Sequence, residues 1–532
     1  MSASTTTESR ATTPMKRSSL RGLAAFAGIV SAGVLLAIGE LLALAFGPRS
    51  SPLIAVGAFV IDIVPPWAKD LVIALFGTND KIVLLAGLGL AVVVAAAIGG
   101  VLQIIRPPFG VIVVAIAGAL SMAAIATRAG AGLFDTVPTL VGTVVAGFVI
   151  HVSIARLRVW RDAVRSGSED AASLTAAVGR RGFLQFTVIA AVAAAVVAAG
   201  SRVADAAVSS LNAVRDALTL PAPRSTVTIA AGADLQIPGL TPLFVPNGDF
   251  YRIDTALVVP EIDPTTWNLR VYGMVEREVT LSFQQLLDMG LDEYVITLTC
   301  VSNEVGGPLL GNAKWLGVPV RDVLAMASPK SGADMVLSRS IDGFTASTPL
   351  DALNDPMRDA ILAVAMNGEP LPLEHGFPVR MVVPGLYGYV SATKWLTELK
   401  VTTYDADEAY WTPRGWDARG PIKLSSRLDT PRADKAVPAG PTKIAGVAWA
   451  QPIGVAAVDI TIDGGDWLAA TLSTPINNDS WVQWFVDWQA TSGLHTIVVR
   501  ATDNDGNVQL EERVPPAPNG STGLQSSLVR VA

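Results

Sequence analysis

The stretch Thr297-Leu298-Thr299-Cys300-Val301-Ser302-Asn303 contains the only cysteine of this 532-residue chain. A single cysteine has no partner for an intrachain disulfide, so Cys300 cannot stabilise an exported domain in that way. The residue alone is compatible with a small buried hydrophobe, a nucleophile or a soft metal ligand. The sequence that follows it decides among these roles.

Several blocks rich in glycine and proline follow Cys300 in a fixed order. They are 306–307 (GG), 311–324 (GNAKWLGVPVRDVL), 366–372 (MNGEPLP), 375–380 (HGFPVR), 383–388 (VPGLYG) and 394–396 (KWL). Their order and spacing resemble the α+β molybdopterin domain of the sulfite oxidase family, and the match covers roughly residues 245–404. Several linked blocks are far more specific than any single motif.

The resemblance implies a Mo-molybdopterin cofactor, held by its pterin dithiolene and by one cysteine thiolate, that moves an oxygen atom to or from a substrate. Cys300 matches that metal ligand, and a thiolate is the donor that soft, sulfur-bound molybdenum requires. Asn303, three residues later, is expected to bind the cofactor. Arg252 is expected to reach the pterin or the substrate as a catalytic residue.

The resemblance also assigns residues to the phosphate of the cofactor. In the family, a His and an Arg of the His-Gly-x-Pro-x-Arg block and the Lys of the Lys-Trp block lie near this phosphate. These positions are His375, Arg380 and Lys394 here. The planar fork of arginine and the point charge of lysine both suit a phosphate in a cleft.

Two departures from the family pattern concern the substrate. Sulfite-oxidising members carry a tyrosine beside the metal, where the match places Phe344, and a phenyl ring donates no hydrogen bond. Those members also have an Arg-Asn-His run, where this chain reads NGDFYRID over 247–254, and its Phe-Tyr pair is more similar to the methionine sulfoxide reductase branch. Oxidation of sulfite or organic sulfur and reduction of an S-oxide therefore both stay open.

The N-terminal part is strongly apolar and predicts a helical membrane bundle. Half of the residues are hydrophobic, and the mean hydropathy is +0.45. Five runs are long enough to cross about 30 Å of hydrocarbon, at 22–46, 82–105, 109–127, 135–155 and 182–200. The stretch 52–77 contains Pro65-Pro66 and three charged residues, which favours an interfacial or re-entrant hairpin.

Basic residues set the expected topology. Lys16, Arg17 and Arg21 precede the first span, and six arginines lie between the fourth and the fifth. By the positive-inside rule both segments are cytoplasmic, so five spans place the C-terminal half outside the cytoplasm.

A twin-arginine pattern opens the last span. Residues 179–185 read GRRGFLQ and are followed by an alanine-rich run. The pattern resembles the signal read by a route that exports folded proteins, although arginine pairs before spans also occur as plain charge anchors. A domain that receives its cofactor in the cytoplasm requires such a route.

The C-terminal stretch predicts an all-β, immunoglobulin-like sandwich that resembles the family's dimerisation domain. Val458, Ile460 and Ile462 alternate with polar residues, and a turn and a second strand follow. Trp481, Trp484 and Trp488 are expected to fill its core or its contact with the cofactor domain.

The expected organisation has six segments. They are a cytoplasmic tail (1–21), the transmembrane region (22–200), a linker (201–244), the molybdopterin domain (245–404), a second linker (405–436) and the sandwich (437–532), which offers a homodimer interface.

The remaining composition limits the function classes and the partners. The net charge of −7 and the lack of basic runs outside the cytoplasmic loop argue against nucleic acid. No Cys-x-x-Cys-His motif for a c-type haem is present, and a separate cytochrome or quinone-linked protein is the expected electron partner. The leading hypothesis is a membrane-anchored molybdenum oxidoreductase acting on a small molecule outside the cytoplasm. The alternative is a non-catalytic membrane assembly subunit with a degenerate cofactor fold.

Overall fold

The computed structural model describes residues 16–46, 50–65, 75, 80–127, 132–165, 171–205, 209–256 and 258–532. The chain divides into two compact units, Met1–Ser209 and Ser210–Ala532. We describe each unit by itself.

The described part of the first unit is helical. Its helices are α1 (Arg17–Phe46), α2 (Pro52–Ile63), α3 (Asp80–Ile105), α4 (Phe109–Ala126), α5 (Val137–Arg165) and α6 (Ala171–Asp205), with a 3-10 turn at Leu133–Thr136 before α5. Five helical stretches are long and apolar enough to cross a membrane, judged by length and composition, and they match the five predicted spans. They are Arg17–Phe46, Val83–Ile105, Phe109–Ala126, Leu133–Val164 and Gly179–Val197.

Small residues let these helices approach closely. Helix α1 contacts α3, α5 and α6. A Cβ atom added to Gly28 would collide with the carbonyl oxygen of Ala96, and one added to Gly100 would collide with that of Ala24. Because apolar side chains gain little by leaving lipid, this close backbone packing is what associates membrane helices.

The predicted hairpin 52–77 is only partly described. Helix α2 has 12 residues, about 18 Å of rise, which is too short to cross the hydrocarbon alone. Its start is held by Glu40 of α1, whose Oε1 accepts hydrogen bonds from Ser51 Oγ at 2.9 Å and Leu53 N at 3.0 Å. Residues 66–74 and 76–79 lie outside the described residues.

Two five-stranded sheets form the cofactor domain of the second unit. The first has the strand order β2-β1-β10-β5-β6, and the second has the order β3-β4-β7-β8 with β9 paired to β7. The strands are β1 (Asn268–Gly273), β2 (Val279–Ser282), β3 (Asp292–Thr299), β4 (Leu310–Pro319), β5 (Met335–Ser340), β6 (Thr345–Pro349), β7 (Ile361–Met366), β8 (Glu369–Pro370), β9 (Arg380–Val382) and β10 (Leu396–Thr402).

Short helices connect these strands. They are α7 (Ser209–Ala217), which precedes β1, α8 (Phe283–Asp288), α9 (Val320–Ala327), α10 (Leu350–Asn354) and α11 (Gly388–Ser391), with 3-10 turns at Leu373–His375 and Thr412–Arg414. Helix α8 begins with a capping box, in which Ser282 Oγ accepts from Gln285 N at 3.2 Å and Gln285 Oε1 accepts from Ser282 N at 2.8 Å. Every residue of β7 is buried, as expected for a strand covered on both faces.

Two four-stranded antiparallel sheets form the C-terminal sandwich. Their orders are β11-β12-β16-β15 and β14-β13-β17-β18. The strands are β11 (Ser425–Thr430), β12 (Gly440–Trp449), β13 (Val455–Ile462), β14 (Leu468–Ala469), β15 (Thr471–Leu472), β16 (Val482–Ala490), β17 (Gly493–Asp503) and β18 (Gln525–Val531). The predicted layout of a helical N-terminal part, an α+β domain and an all-β domain is confirmed.

The sandwich begins earlier than the sequence predicted. Strand β11 lies inside the predicted 405–436 linker and pairs with β12. Its sequence, SSRLDT, has one apolar residue, so it lacks the apolar alternation by which strands are predicted. Trp484 is fully buried in the sandwich core, whereas Trp481 belongs to a core shared with the cofactor domain and donates from Nε1 to the Leu243 carbonyl at 3.2 Å.

Candidate functional site

Cys300 directly follows strand β3 and begins a tight loop. Its backbone N–H donates to the carbonyl of Leu309 at 2.9 Å, and its own carbonyl accepts from Asn303 N at 3.0 Å. Burial raises the pKa of the thiol, while hydrogen bonds from Ser302 and the nearby charge of Lys394 act in the opposite direction. A thiol held in this way becomes a thiolate most readily when a metal ion replaces its proton.

The Cys300 side chain lines a cavity of about 130 Å³, together with Arg380 and Lys394. Cys300 is far from Arg380 and Lys394 in sequence. The end of β3, the start of β9 and the turn before β10 bring them to one place. A soft donor and two cations are therefore assembled in a single cleft, as the sequence resemblance implies.

Arg380 is buried and has an unused donor. Its Nη1 donates to the His375 carbonyl at 3.1 Å and its Nη2 to the Ala392 carbonyl at 3.5 Å, and its guanidinium lies 5.2 Å from the ring centre of Trp315. Among the described residues its Nε has no partner. Burial lowers the pKa of this guanidinium to about 10, so it stays charged at neutral pH.

The Lys394 ammonium also points into the buried cleft. Its Nζ donates to Asp254 Oδ2 at 3.1 Å and to the Glu374 carbonyl at 3.0 Å. Burial lowers the pKa of Lys394 to about 8, and the attraction of Asp254 limits that fall. The amine is therefore largely charged at neutral pH but close to losing its proton.

His375 lies behind this cleft and is not among the residues that line it. Its Nε2 is 3.0 Å from the Asn247 carbonyl, so Nε2 must carry the proton, while Nδ1 is buried without a partner among the described residues. Burial, reinforced by Arg380 and Lys394, lowers the pKa of His375 to about 4. The ring is neutral at pH 7.

Gly376 allows the turn that brings His375, Arg380 and Lys394 together. It has a φ of +111°, and a Cβ atom at this position would lie 3.0 Å from Arg380 Cβ and 3.1 Å from Lys394 Cα. Both facts favour glycine, which tolerates positive φ and a close backbone approach.

Arg252 and Asn303 lie near the cavity without lining it. Arg252 is 40% exposed, and its Nε donates to Asp254 Oδ2 at 2.9 Å, so it reaches the cleft through that carboxylate. Asn303 Oδ1 accepts from Leu309 N at 2.8 Å and thereby fixes the loop that carries Cys300. The roles assigned to these two residues stay predictions.

Sequence reasoning missed several residues of the cavity wall. Trp411 and Trp416 lie in the predicted 405–436 linker, yet they line the cavity. Tyr251, Asp254 and Tyr389 line it as well. Two half-buried tryptophans five positions apart are unusual for a solvated linker, and that signal could have located Trp411 and Trp416.

The donor set fits a molybdenum cofactor that carries a phosphate. The cavity offers one buried thiol as a soft ligand and two buried cations for an anion. The unpartnered Nε of Arg380 and Nδ1 of His375 are buried polar atoms of the kind that a bound group satisfies.

Comparison with known proteins agrees with this reading. Residues 256–411 match the family model described as "Oxidoreductase molybdopterin binding domain". Mitochondrial sulfite oxidase from Homo sapiens is 29% identical over 324 residues, which cover 52% of this chain and 59% of that protein. Inducible nitrate reductase [NADH] 1 from Glycine max is 28% identical over 319 residues, which cover 48% of this chain and 36% of that protein.

One solved structure, the sulfane dehydrogenase SoxCD from Paracoccus pantotrophus, is similar with a TM-score of 0.48 and 22% identity, covering 57% of this chain and 88% of that chain. That score is too low to carry an argument about this chain. The chain also spans less than two thirds of the human sulfite oxidase. The cofactor predicted from the sequence is nevertheless confirmed, because residues 256–411 belong to the oxidoreductase molybdopterin-binding domain family and the chain is similar in sequence to sulfite oxidases.

Proposed function

We propose that this protein is a membrane-anchored molybdenum enzyme that transfers an oxygen atom to or from a small sulfur compound outside the cytoplasm. The observation that carries the proposal is the single cleft in which the only cysteine, Cys300, lies with the buried cations Arg380 and Lys394. The sulfite oxidases among its relatives support sulfur as the reacting element.

Different residues of the cleft would bind different parts of the cofactor. Cys300 would hold molybdenum as a thiolate, and Arg380 and Lys394 would hold the phosphate. When bound, the cofactor supplies a two-electron centre that exchanges an oxygen atom with the substrate. Neutral His375, behind the cleft, offers Nδ1 as a hydrogen-bond acceptor, because Nε2 donates to the Asn247 carbonyl.

Tyr251 offers the cleft a hydroxyl group next to Cys300. The pKa of Tyr251 lies well above its ordinary value, because the ring is buried and the negative charge of the Cys300 thiolate disfavours a second anion. Its ring stacks on Phe250 at 5.3 Å, which fixes its position. Tyr251 lines the cavity, so its hydroxyl could donate a hydrogen bond to a bound group there.

Electrons must leave or enter through another protein. One cysteine cannot attach a c-type haem, and the transmembrane region holds one histidine, His151. A cytochrome or a quinone-linked protein is therefore the expected partner. We assign export of the folded, cofactor-loaded domain to the twin-arginine pattern, where Arg180 and Arg181 are both exposed on α6.

A non-catalytic assembly subunit would have no use for this arrangement. Burying two cations with an unsatisfied donor costs stability unless something binds them. This cleft retains the two buried cations, the unsatisfied donor of Arg380 and the Cys300 thiol, as expected if a cofactor binds there. We therefore prefer the enzyme to the assembly subunit.

Turnover in both directions tests the proposal. The full-length protein, purified in detergent and shown to contain molybdenum, is assayed anaerobically with sulfite and an oxidised dye, and with methyl phenyl sulfoxide and a reduced viologen. Turnover in either assay that disappears in Cys300→Ser supports oxygen-atom transfer. A molybdenum-loaded protein that turns over neither substrate contradicts it.

A further inference from the structure

Four aromatic residues that line the cavity are connected by ring contacts, three of them directly and Phe344 through Tyr410. This aromatic wall consists of Phe344, Tyr389, Trp411 and Trp416, all of which line the cavity. The rings of Tyr389 and Trp416 are 5.9 Å apart at 50°, and those of Trp411 and Trp416 are 6.4 Å apart at 77°. Tilted and edge-to-face rings at these distances attract one another, so the wall is a packed unit.

Tyr410 connects Phe344 to the other members of the aromatic wall. Its ring lies 5.9 Å from Phe344 and 5.1 Å from Trp411. The guanidinium of Arg414 covers it at 3.8 Å, and its backbone N–H donates to Thr345 Oγ1 at 3.0 Å. The segment that carries Trp411 is therefore tied to strand β6.

The opposite end of the wall is equally fixed. The Tyr389 hydroxyl donates to the Asp417 carbonyl at 2.6 Å, and Asp417 N–H donates to the Pro518 carbonyl at 3.1 Å. A Cβ atom on Gly420 would lie 2.8 Å from the Tyr389 ring, so only glycine lets the chain pass here. Because these side chains are already fixed without a ligand, they lose little conformational entropy when a ligand binds.

The charges around the cavity do not favour an anionic ligand at this wall. Among the described residues that line the cavity, the cations are Arg380 and Lys394, and Lys394 is paired with Asp254. A cofactor phosphate would occupy both of them. Asp342 adds a carboxylate next to the wall, where it accepts from Phe344 N at 3.2 Å and Thr255 Oγ1 at 3.2 Å.

We propose that the aromatic wall is the substrate-binding surface and that it takes an uncharged organic sulfur compound, a thioether or its S-oxide, through the apolar groups on sulfur. The inference rests on the proposed function and narrows its substrate class. Divalent sulfur is soft and packs favourably against ring edges, and alkyl or aryl groups gain from burial against rings. An oxyanion such as sulfite would lose its hydration at this aromatic surface and would be repelled by the carboxylate of Asp342.

Binding to the oxidised, molybdenum-loaded, full-length protein tests this assignment. Methyl phenyl sulfoxide is the probe, because an oxidised centre has no electrons with which to reduce it. Its Kd is measured by calorimetry, with sulfate as a competing oxyanion that does not react. We expect saturable binding of the sulfoxide and no displacement by equal concentrations of sulfate.

Variants of the wall locate the binding. Trp411→Ala and Trp416→Ala are each expected to raise the Kd of the sulfoxide about tenfold, because each removes a large contact surface. Trp411→Phe keeps a ring and is expected to stay within about threefold of the parent. If the alanine variants do not fold, Trp411→Leu fills the space without a ring and is expected to weaken binding as well.

The control is Trp467→Ala, which removes a sandwich tryptophan that lies under Arg500 at 4.0 Å and does not line the cavity. It is expected to leave the Kd unchanged. Equal Kd values for the parent and the Trp411 and Trp416 variants, or displacement of the sulfoxide by sulfate, would overturn the assignment. A molybdenum-loaded enzyme that oxidises sulfite rapidly yet does not bind the sulfoxide would remove this inference and leave the proposed function standing.

Discussion

Lys394 and Asp254 form an ion pair inside the cofactor cavity, with Nζ and Oδ2 3.1 Å apart and the two side chains 9% and 4% exposed. A buried pair offsets its desolvation only when the remaining hydrogen-bonding positions are filled. The Glu374 carbonyl accepts from the ammonium, and Arg252 donates to the carboxylate. The ammonium is therefore held in place before any cofactor arrives.

Cofactor loading should depend on the charge of Lys394. Burial lowers its pKa to about 8, so the cofactor-free protein carries this charge below pH 8 and loses it as the pH rises through that value. Incubation of cofactor-free protein with molybdenum cofactor between pH 7 and 9.5 should show loading that declines near pH 8. Lys394→Met should bind the cofactor roughly ten- to a hundredfold more weakly and lose this pH dependence.

Lys443→Met is the matched control, because this surface lysine pairs with Asp487 on the sandwich, away from the cavity. Its loading should equal that of the parent at every pH. Unchanged loading by Lys394→Met would show that this lysine does not hold the phosphate.

Asp479 should make stability depend on pH. It is buried with Oδ1 unpartnered among the described residues, and burial, followed by repulsion from Asp359, raises its pKa to about 7. In the unfolded chain the carboxyl ionises near pH 4. The folded state alone then holds the proton between pH 4 and 7, so stability falls as the pH rises through this range, by up to about 4 kcal/mol.

Asp479→Asn keeps the shape of the side chain without the titration. Its thermal midpoint should exceed that of the parent by a few degrees above pH 7 and should fall less between pH 4 and 7. The exposed Asp466→Asn serves as the control and should follow the parent. Parallel curves for all three proteins would show that Asp479 is ionised in the folded state.

Phe344 should limit sulfite oxidation. Its ring lines the cavity but offers no hydrogen-bond donor, and one donor to a charged group is worth about 1.5–3 kcal/mol. Phe344→Tyr is expected to raise kcat/KM for sulfite by roughly one to two powers of ten. Steady-state kinetics would check this, and sulfite oxidation by the parent at the rate of a dedicated catalyst would refute it.

The arginine pair of α6 should control export. Replacing Arg180 and Arg181 with lysines keeps the charge that sets topology but removes the guanidinium pair. The first four spans should insert normally, and the catalytic domain should remain inside the cell. A protease-protection assay distinguishes the two locations, and normal externalisation of the domain in the variant would reduce the pair to a charge anchor.

Much of the fold was predictable from local patterns. Long apolar runs gave the five candidate spans, because length and hydropathy are properties of the sequence itself. The linked blocks around Cys300 gave the cofactor domain. Strand β11 was not predictable, since its pairing with β12 rather than its composition makes it a strand.

The site was only partly predictable for a similar reason. Cys300, Arg380 and Lys394 belong to motifs, and the fold brings them to one cavity. Trp411 and Trp416 belong to an irregular segment whose position depends on tertiary contacts, such as the hydrogen bond from Tyr389 to Asp417. Neighbouring elements fix such a segment, so its role is not readable from its own sequence.

The coordination of molybdenum tests the central claim most directly. X-ray absorption at the molybdenum edge counts the sulfur ligands of the purified, full-length protein and of Cys300→Ser. Because Cys300 is the only cysteine, it is the only thiolate that the chain can provide. We predict about one molybdenum per chain, with one sulfur ligand fewer in Cys300→Ser than in the parent. An equal sulfur count in both proteins, or a parent protein that contains no molybdenum, would contradict this account.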